Sequence, residues 1–267
     1  MAILSISREY QNGSPEIGRA VADQLGYDFV DRYCIYTNLN EVGEKWGKLA
    51  KELDEERPNL WEKYDREYQG FIALIESTIY KYAAKDKAVI LGRGSVFLLQ
   101  DIPHVLKVRL YAPLEVRLER VMLKDELDRK TAEEILEKID KSRAGYVQAI
   151  YGKQLQDIEN YDLFFNTGIQ TYEQVTQNLI EVLKGWDQRA TPEGRQRLKD
   201  LALTANIKAR ILTHPEVVIH TLEVSQDGES IVLKGVVRSP KEYQLVEEMV
   251  HKIADPHPIR NELHYRT

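Results

Sequence analysis

The opening of the chain constrains its fold more than any other feature. An apolar run at residues 2–6 predicts a short buried strand. Turn-forming residues follow at 11–15, and after them Ile17, Val21 and Leu25 recur on one helical face. A buried strand, a turn and an amphipathic helix in this order predict a βα unit at the start of the chain.

The next 160 or so residues continue this alternation of strands and helices. The predicted strands lie at residues 27–31, 88–91, 105–111 and 161–166. The predicted helices lie at residues 38–86 (broken at Arg57-Pro58), 114–124, 131–151 and 171–185. The alternation predicts an α/β fold with a mostly parallel sheet flanked by helices. In such a fold, ligands bind beyond the carboxyl ends of the strands.

A second, smaller domain is predicted after a polar stretch at residues 187–195, which we interpret as a linker. The expected elements are a helix at 196–213, strands at 216–224 and 230–237, a helix at 239–254 and a strand at 259–265. This order, αββαβ, predicts a small α+β domain. The sequence thus predicts one domain over residues 1–186 and another over 196–267.

Composition excludes several classes of protein. The net charge of −6 over 267 residues argues against a general nucleic-acid binder. The single cysteine, Cys34, excludes an internal disulfide and fits a reducing compartment. No window approaches the ~20 apolar residues of a membrane helix, and the first residues lack the features of a signal peptide. We therefore expect a cytoplasmic protein with no transmembrane segment.

The histidines of the second domain do not form a metal-binding motif. Five of the six in the chain lie there, and their spacing matches no zinc site. They are His214, His220, His251, His257 and His264. We expect no metal ion bound by protein ligands.

The turn at residues 11–15, here called the phosphate loop, raises the central question about function. Loops that bind phosphate surround it with backbone N–H groups and usually add a lysine. Gly13 occupies the place of the last loop glycine, but Ser14 stands where the lysine would be. Arg8 and Arg19 are candidate replacements for that charge. Considered alone, this segment fits an ordinary βα connection equally well.

Six segments taken together extend the interpretation. They lie at residues 7–19, 25–32, 89–94, 111–120, 140–146 and 160–167. In this order they resemble the cytidylate-kinase-like family, a branch of the P-loop nucleoside-monophosphate kinases. The resemblance covers residues 1–184. It implies transfer of a phosphoryl group from ATP, with Mg²⁺, to a nucleoside monophosphate of cytidylate type.

The resemblance also implies roles for particular residues. Those expected to bind nucleotide are Arg8, Gly13, Ser14, Glu16, Ile17, Arg19, Asp31 and Arg93, with Arg93 and Asp31 on the acceptor side. Those expected to clamp phosphates or order the lid over them are Arg117, Arg120, Asp140 and Arg143. Arginine forks suit phosphoryl transfer, which depends on positioning and positive charge. Alternatives stay open: Arg117 with Arg120 also fits a solvated helix edge, and Asp140 with Arg143 an intrahelical ion pair.

The chain departs from the family's pattern at two places. The P-loop lysine is absent, and Leu91 and Gly94 stand where carboxylates flank the central Gly-Arg of cytidylate kinases. An alternative function is therefore a nucleotide-binding sensor with impaired catalysis. The charged stretch at residues 41–68, which includes Glu55, is interpreted as a solvated helical face, with Trp46 and Trp61 packed in a core.

The second domain has its own resemblance. The order of its elements, its apolar positions and the placement of Gly228 and Gly235 resemble a BON domain over residues 196–266. This implies a regulatory, ligand-sensing or oligomerising module, and it is the output module of the sensor hypothesis. Assembly of identical chains through this domain is a further expectation.

Overall fold

The computed structural model describes residues 1–53, 55–59, 61–219 and 221–265, so His220 lies outside the described residues. The chain forms two compact units. The first comprises Met1–Pro58 and Lys85–Arg195, and the second Asn59–Ala84 and Gln196–Thr267. Residues 59–84, placed by sequence in the first domain, thus pack with the C-terminal part of the chain. The domain boundaries at 186 and 196 stay predictions.

The first unit is built on a five-stranded parallel sheet, as predicted. Its strands are β1 (Ile3–Arg8), β2 (Asp28–Val30), β3 (Ala88–Leu91), β4 (Val105–Tyr111) and β5 (Leu163–Asn166). They are arranged in the order β2-β3-β1-β4-β5. The first strand is therefore central, which explains why its side chains from Ile3 to Ser7 are buried.

The helices follow the strands in alternation. They are α1 (Ser14–Leu25), α2 (Arg32–Val42), α3 (Glu44–Glu52), α4 (Arg66–Ala83), α5 (Ser95–Leu98), α6 (Leu114–Asp125), α7 (Arg129–Tyr151), α8 (Tyr172–Trp186), α9 (Pro192–Thr213) and α10 (Pro240–Ala254). The helical stretch predicted at 38–86 is confirmed in part. Residues 55–59, around the predicted break at Arg57-Pro58, are not helical, but Gly43 ends α2 and adds a break that was not predicted. The predicted linker is partly helical, since a 3₁₀ helix covers Asp187–Arg189 and α9 begins at Pro192. Within the described residues, no helix is both long and apolar enough to cross a membrane.

Helices α1 and α8 cover one face of this sheet. Ile17 and Val21 of α1 are fully buried, as the helical periodicity predicts, and they pack with Val175 and Leu179 of α8 against the strands. Burying a side chain of this kind contributes about 1.5–3 kcal/mol. Packing of these two helices against the sheet therefore sets where the loop between β1 and α1 lies.

The second unit contains a three-stranded sheet with strands β6 (Glu223–Asp227), β7 (Ser230–Val237) and β8 (Ile259–Tyr265). Strand β6 is antiparallel to β7, whereas β8 is parallel to it. The predicted α+β class is confirmed, but the strand predicted at 216–224 begins only at Glu223. Val217 and Ile219 are buried without forming a strand, and the Glu242 carboxylate of α10 accepts a hydrogen bond from the N–H of Val218 between them.

Candidate functional site

Three neighbouring strands of the parallel sheet end at one edge. Ile6 of β1 lies opposite Leu91 of β3 on one side and Val108 of β4 on the other. The segments that follow these strands start at Glu9, Gly92 and Ala112. The segments after β1, β3 and β4 therefore lie together at the edge where ligands bind in folds of this kind.

The most distinctive feature of this edge is a cluster of three arginines around one carboxylate, Arg8, Arg93 and Arg143 with Glu55, here called the arginine pocket. Arg8 Nη1 donates to Glu55 Oε1 at 3.1 Å, and Arg143 Nε lies 3.0 Å from Glu55 Oε2. The backbone N–H of Arg93 donates to Oε1 at 2.5 Å. The carboxylate thus receives hydrogen bonds from β1 and from the loop after β3, and it forms an ion pair with Arg143 of α7.

The loop after β3 has an unusual backbone. Gly92, Arg93 and Gly94 all have positive φ, at 77°, 55° and 70°. A Cβ on Gly92 would lie 1.6 Å from Arg8 Nη1, and one on Gly94 would lie 2.0 Å from a ring carbon of Tyr151. Only glycine fits at these two positions. The left-handed conformation of Arg93 costs about 1–2 kcal/mol, and strain of this kind tends to persist at functional sites.

Glu55 is held in its ionised form. Burial alone would raise the pKa of this carboxyl group, but the positive charges of Arg8, Arg143 and Arg93 outweigh burial and hold the pKa well below its usual range. Only 7% of Glu55 is exposed. The interpretation of Glu55 as part of a solvated helical face is therefore wrong. Trp46 is buried as predicted, whereas Trp61 is exposed, so its predicted core packing is also wrong.

The phosphate loop is held by neutral hydrogen bonds. The Asn12 side chain donates to Leu110 O at 2.6 Å and accepts from the N–H of Ser14 at 3.1 Å. Thr167 Oγ1 donates to Asn12 O at 2.7 Å. Gly13, with φ of 80°, is the N-cap residue of α1. One of the N–H groups expected to face a phosphate, that of Ser14, is therefore engaged by the loop's own side chain.

Arg120 of α6 stabilises this loop through hydrogen bonds to backbone oxygens. Its Nη2 donates to Thr167 O at 2.7 Å and its Nη1 to Gln11 O at 3.3 Å. Its guanidinium lies 5.3 Å from the centre of the Tyr172 ring. The same ring closes the space at Gly13, where a Cβ would come within 2.0 Å of Tyr172 Cζ. In this conformation Arg120 stabilises the loop, and its predicted role as a clamp on phosphates stays a prediction.

Arg117 and Asp140 form a second, separate ion pair. Arg117 Nη1 lies 2.5 Å from Asp140 Oδ2, and Arg117 Nε lies 3.5 Å from Glu9 Oε2. Asp140 also accepts from the N–H of Tyr10 at 3.1 Å. Arg117 is buried, so the solvated-edge alternative fails for it. Asp140 is directed at Arg117, whereas Arg143 of the same helix is directed at Glu55.

The remaining predicted residues lie apart from the arginine pocket. Arg19 stacks 4.3 Å from the centre of the Phe29 ring, and its Nη2 lies 3.5 Å from Asp31 Oδ2. Asp31 caps α2 by accepting from the N–H groups of Tyr33 and Cys34. The two candidate replacements for the missing lysine are therefore both engaged elsewhere, Arg8 with Glu55 and Arg19 with Asp31.

The three predicted residues that begin α1 differ in exposure. Ser14 and Ile17 are buried, and the Ile17 side chain belongs to the core. Glu16 is exposed in the first turn of the helix. Any contact of Ile17 with a nucleotide would therefore use its backbone.

The described residues contain no preformed cluster of metal ligands. No group of three or more histidine, cysteine, aspartate or glutamate side chains within them is arranged to hold a metal ion. Pro15 follows Ser14 at the position where P-loops carry a Ser or Thr ligand. The carboxylates of Glu9 and Asp140, on either side of Arg117, are both paired with it.

Two acidic residues of this edge were missed from the sequence. Glu55 lies in a run of charges that gives no sign of burial, so no sequence signal distinguishes it. Glu9 directly follows β1 and accepts from the N–H of Ala112 at 3.2 Å. Its place at the end of a central strand is a signal that was available. Fold and site together define a nucleotide-kinase-like α/β protein with an unusual phosphate loop.

Comparison with known proteins agrees with this class. The model of the cytidylate kinase-like family matches residues 3–169, and the model of the BON domain matches residues 199–267. The cytidylate kinase of Methanothermobacter thermautotrophicus is 36% identical over 166 residues, covering 62% of this chain and 94% of that enzyme. The chain belongs to the cytidylate kinase-like family and carries a BON domain at its C-terminus.

Two other matches say less about the family of this chain. A uronate isomerase of Corynebacterium glutamicum is 37% identical over 99 residues, but the match spans 37% of this chain and only 19% of that relative. A solved structure of an uncharacterized protein from Eubacterium ventriosum has a TM-score of 0.54 at 20% identity, covering 69% of this chain and 99% of that one. At this identity, the structural match supports the fold and nothing beyond it.

Proposed function

We propose that this protein transfers a phosphoryl group from ATP to a nucleoside monophosphate, with a pyrimidine nucleotide as the acceptor. The observation that carries the proposal is the arginine pocket at the carboxyl edge of the parallel sheet. Guanidinium groups and a backbone N–H converge there on a single anion, Glu55. A convergent set of charged donors is what binding of a phosphate monoester requires.

In this proposal the arginine pocket binds the phosphate of the acceptor. The backbone N–H of Arg93 is held toward the pocket by the left-handed loop after β3, and Gly92 and Gly94 on either side leave no room for a Cβ. Arg143 reaches the pocket from α7, the helix that also carries Asp140. Arg117 and Arg120 support the phosphate loop and the segment after β1, and they are positioning residues in the conformation described.

Magnesium enters this proposal only through the nucleotide. Mg²⁺ neutralises charge on the phosphates of ATP in kinases generally. The described residues contain no cluster of three or more histidine, cysteine or acidic side chains arranged for a metal ion, and no step is assigned to a protein-bound one. The residues of the chain contribute positioning, charge and exclusion of water at the acceptor phosphate.

A coupled assay of ADP release tests the proposal with CMP, UMP, dCMP and AMP as acceptors. We expect turnover with a pyrimidine nucleotide and a loss of about 100-fold in Arg143→Ala, the usual cost of removing one side-chain donor from a developing charge. Arg129→Ala is the matched control, because Arg129 pairs with Glu115 on the surface. Absence of turnover with every acceptor would overturn the proposal.

A sensor without catalysis is the second candidate, and the phosphate loop favours it. Asn12 already engages the N–H of Ser14, and Pro15 has no N–H to offer. The BON domain would then serve as the output or oligomerisation module in a cytoplasmic protein. Calorimetry decides between the candidates: tight ATP binding without ADP formation supports the sensor, and absence of nucleotide binding removes it. Light scattering on the full chain, with and without nucleotide, tests assembly.

A further inference from the structure

We propose that Glu55 is an internal ligand of the arginine pocket, which a phosphate must displace before it binds. The inference deepens the proposed function and rests on it for the identity of the ligand. A carboxylate and a phosphate monoester present similar oxygens to guanidinium forks and to a backbone N–H. Glu55 therefore occupies, within the chain itself, the position that an acceptor phosphate would take.

The donors around Glu55 come from three separate parts of the first unit. They are Arg8 at the end of β1, the backbone N–H of Arg93 after β3, and Arg143 in the middle of α7. Glu55 is the single carboxylate common to these three contacts. The three donors converge because the strands end at one edge, independently of the segment that carries Glu55. The site is thus built by the sheet and by α7, and Glu55 is inserted into it.

The segment that carries Glu55 is suited to leave. Helix α3 ends at Glu52, and the described residues from Glu55 to Asn59 form no helix or strand. Glu56 and Arg57 beside it are exposed. Withdrawal of Glu55 would therefore break no helical or sheet hydrogen bond of its own segment. Apart from the turn hydrogen bond from the N–H of Glu56 to Leu53 O, the contacts that withdrawal would break are those of the carboxylate itself, and an incoming phosphate would replace them.

Glu55 also stands between two spaces. Together with Arg143 it lines an inner pocket bounded by Ser7, Gly92 and Gly94 at the sheet edge. The same two residues line an open cleft on the other side, where Lys138 of α7 offers a charge of opposite sign to a carboxylate. Movement of Glu55 toward this cleft would open the inner pocket without moving the sheet or α7.

Calorimetric titration with inorganic phosphate, CMP and cytidine at fixed ionic strength tests the inference. We expect Glu55→Gln to bind phosphate and CMP at least about tenfold more tightly than the unmodified protein, because a competing charge has been removed. Cytidine, which has no phosphate, should bind equally to both. Glu52→Gln is the matched control, since it removes the same charge from an exposed position three residues earlier.

The contrary result is equally clear. If Glu55 is a fixed counter-ion, Glu55→Gln will bind phosphate no more tightly than the unmodified protein, and the inference is overturned. Binding is measured without turnover, so tighter phosphate binding in a protein that transfers nothing would sink the proposed function and keep this inference. Turnover in the unmodified protein, together with unchanged phosphate affinity in Glu55→Gln, would keep the proposed function and overturn this inference.

If Glu55→Gln does not fold, two further measurements test the inference. Glu55→Asp keeps the charge on a shorter side chain, which cannot span the distance to both Arg8 and Arg143, and it should bind phosphate at least about threefold more tightly. In the unmodified protein, phosphate should speed hydrogen exchange at residues 55–57, because the segment is released. Slower exchange there on addition of phosphate would contradict displacement.

Discussion

Two regions of the sheet edge are built for the same kind of ligand and are stabilised in different ways. The phosphate loop is closed by neutral hydrogen bonds from Asn12 and Thr167. The arginine pocket is closed by charge, with Glu55 between Arg8 and Arg143. A neutral hydrogen bond contributes about 0.5–1.5 kcal/mol, whereas breaking a buried ion pair costs about 3–5 kcal/mol.

This difference concerns function as well as stability. An incoming anion can displace a carboxylate from arginines, because both carry negative charge and present oxygen acceptors to the same guanidinium groups. It cannot displace the Asn12 side chain from the loop so readily, because that side chain bonds both Leu110 O and the Ser14 N–H. The arginine pocket is thus the more exchangeable of the two sites, although it contains the stronger individual contacts.

The largest loss of stability is expected when one positive charge is removed from the arginine pocket. Arg143→Met removes one partner of the buried Glu55 and should lower the free energy of unfolding by about 3 kcal/mol. Urea denaturation measures it. Lys141→Met is the matched control, because Lys141 pairs with Glu137 on the surface and should cost less than about 0.5 kcal/mol. Adding Glu55→Gln to Arg143→Met should recover part of the loss, and strict additivity of the two changes would contradict a coupled pair.

The next effect concerns the backbone of the phosphate loop. Gly13→Ala should cost more than about 2 kcal/mol, because it combines a left-handed φ with a clash against Tyr172. Gly26→Ala provides the control: its φ is also positive, at 64°, but a Cβ there meets nothing within 4 Å. Equal losses in the two variants would show that the Tyr172 ring yields and that the loop is not held closed by it.

The neutral hydrogen bonds of the same loop should contribute less. Asn12→Ala leaves Leu110 O and the Ser14 N–H without their partner and should lower the free energy of unfolding by about 1–2 kcal/mol. Thermal and urea unfolding measure this. A loss as large as that in Arg143→Met would remove the distinction between a loop held by neutral bonds and a pocket held by charge.

Much of the first unit was predictable from the sequence. The strand at Val105–Tyr111 has the predicted bounds, and the parallel sheet follows from the alternation of buried strands with helices. Periodicity is a local property of the chain, so it can be read without the fold. The break that Arg57-Pro58 predicts in the helical stretch at 38–86 is also seen. The end of α3 at Glu52 was not predicted, because it falls inside a run of charged residues with no break in composition.

The site was only partly predictable for a related reason. Arg93 and Arg143 stand out as arginines in recognisable segments, and both contribute to the arginine pocket. Glu55 does not, because its burial depends on three distant segments that the sheet brings together. Likewise Asn12 gives no local sign that it closes the loop on Leu110, which lies 98 residues later. Partners far apart in sequence leave no trace in one sequence read alone.

The smallest expected effect is a difference between the two regions in how their contribution to stability depends on pH. The pKa of Glu55 is held below its usual range, so the folded protein binds fewer protons than the unfolded chain as the pH falls through the ordinary range of a glutamate, near about 4.3. The stabilisation is fully present above that range and is lost progressively as the pH falls toward the folded pKa. The bonds made by Asn12 do not titrate.

Urea midpoints measured from pH 7 to pH 3 should therefore fall less steeply in Glu55→Gln than in the unmodified protein, whereas Asn12→Ala should lower the whole curve and keep its shape. Comparing slopes removes the constant loss that each substitution causes at neutral pH. Parallel curves for Glu55→Gln and the unmodified protein would show that Glu55 does not titrate differently on folding. The charged closure of the arginine pocket would then be no different in kind from the neutral closure of the phosphate loop.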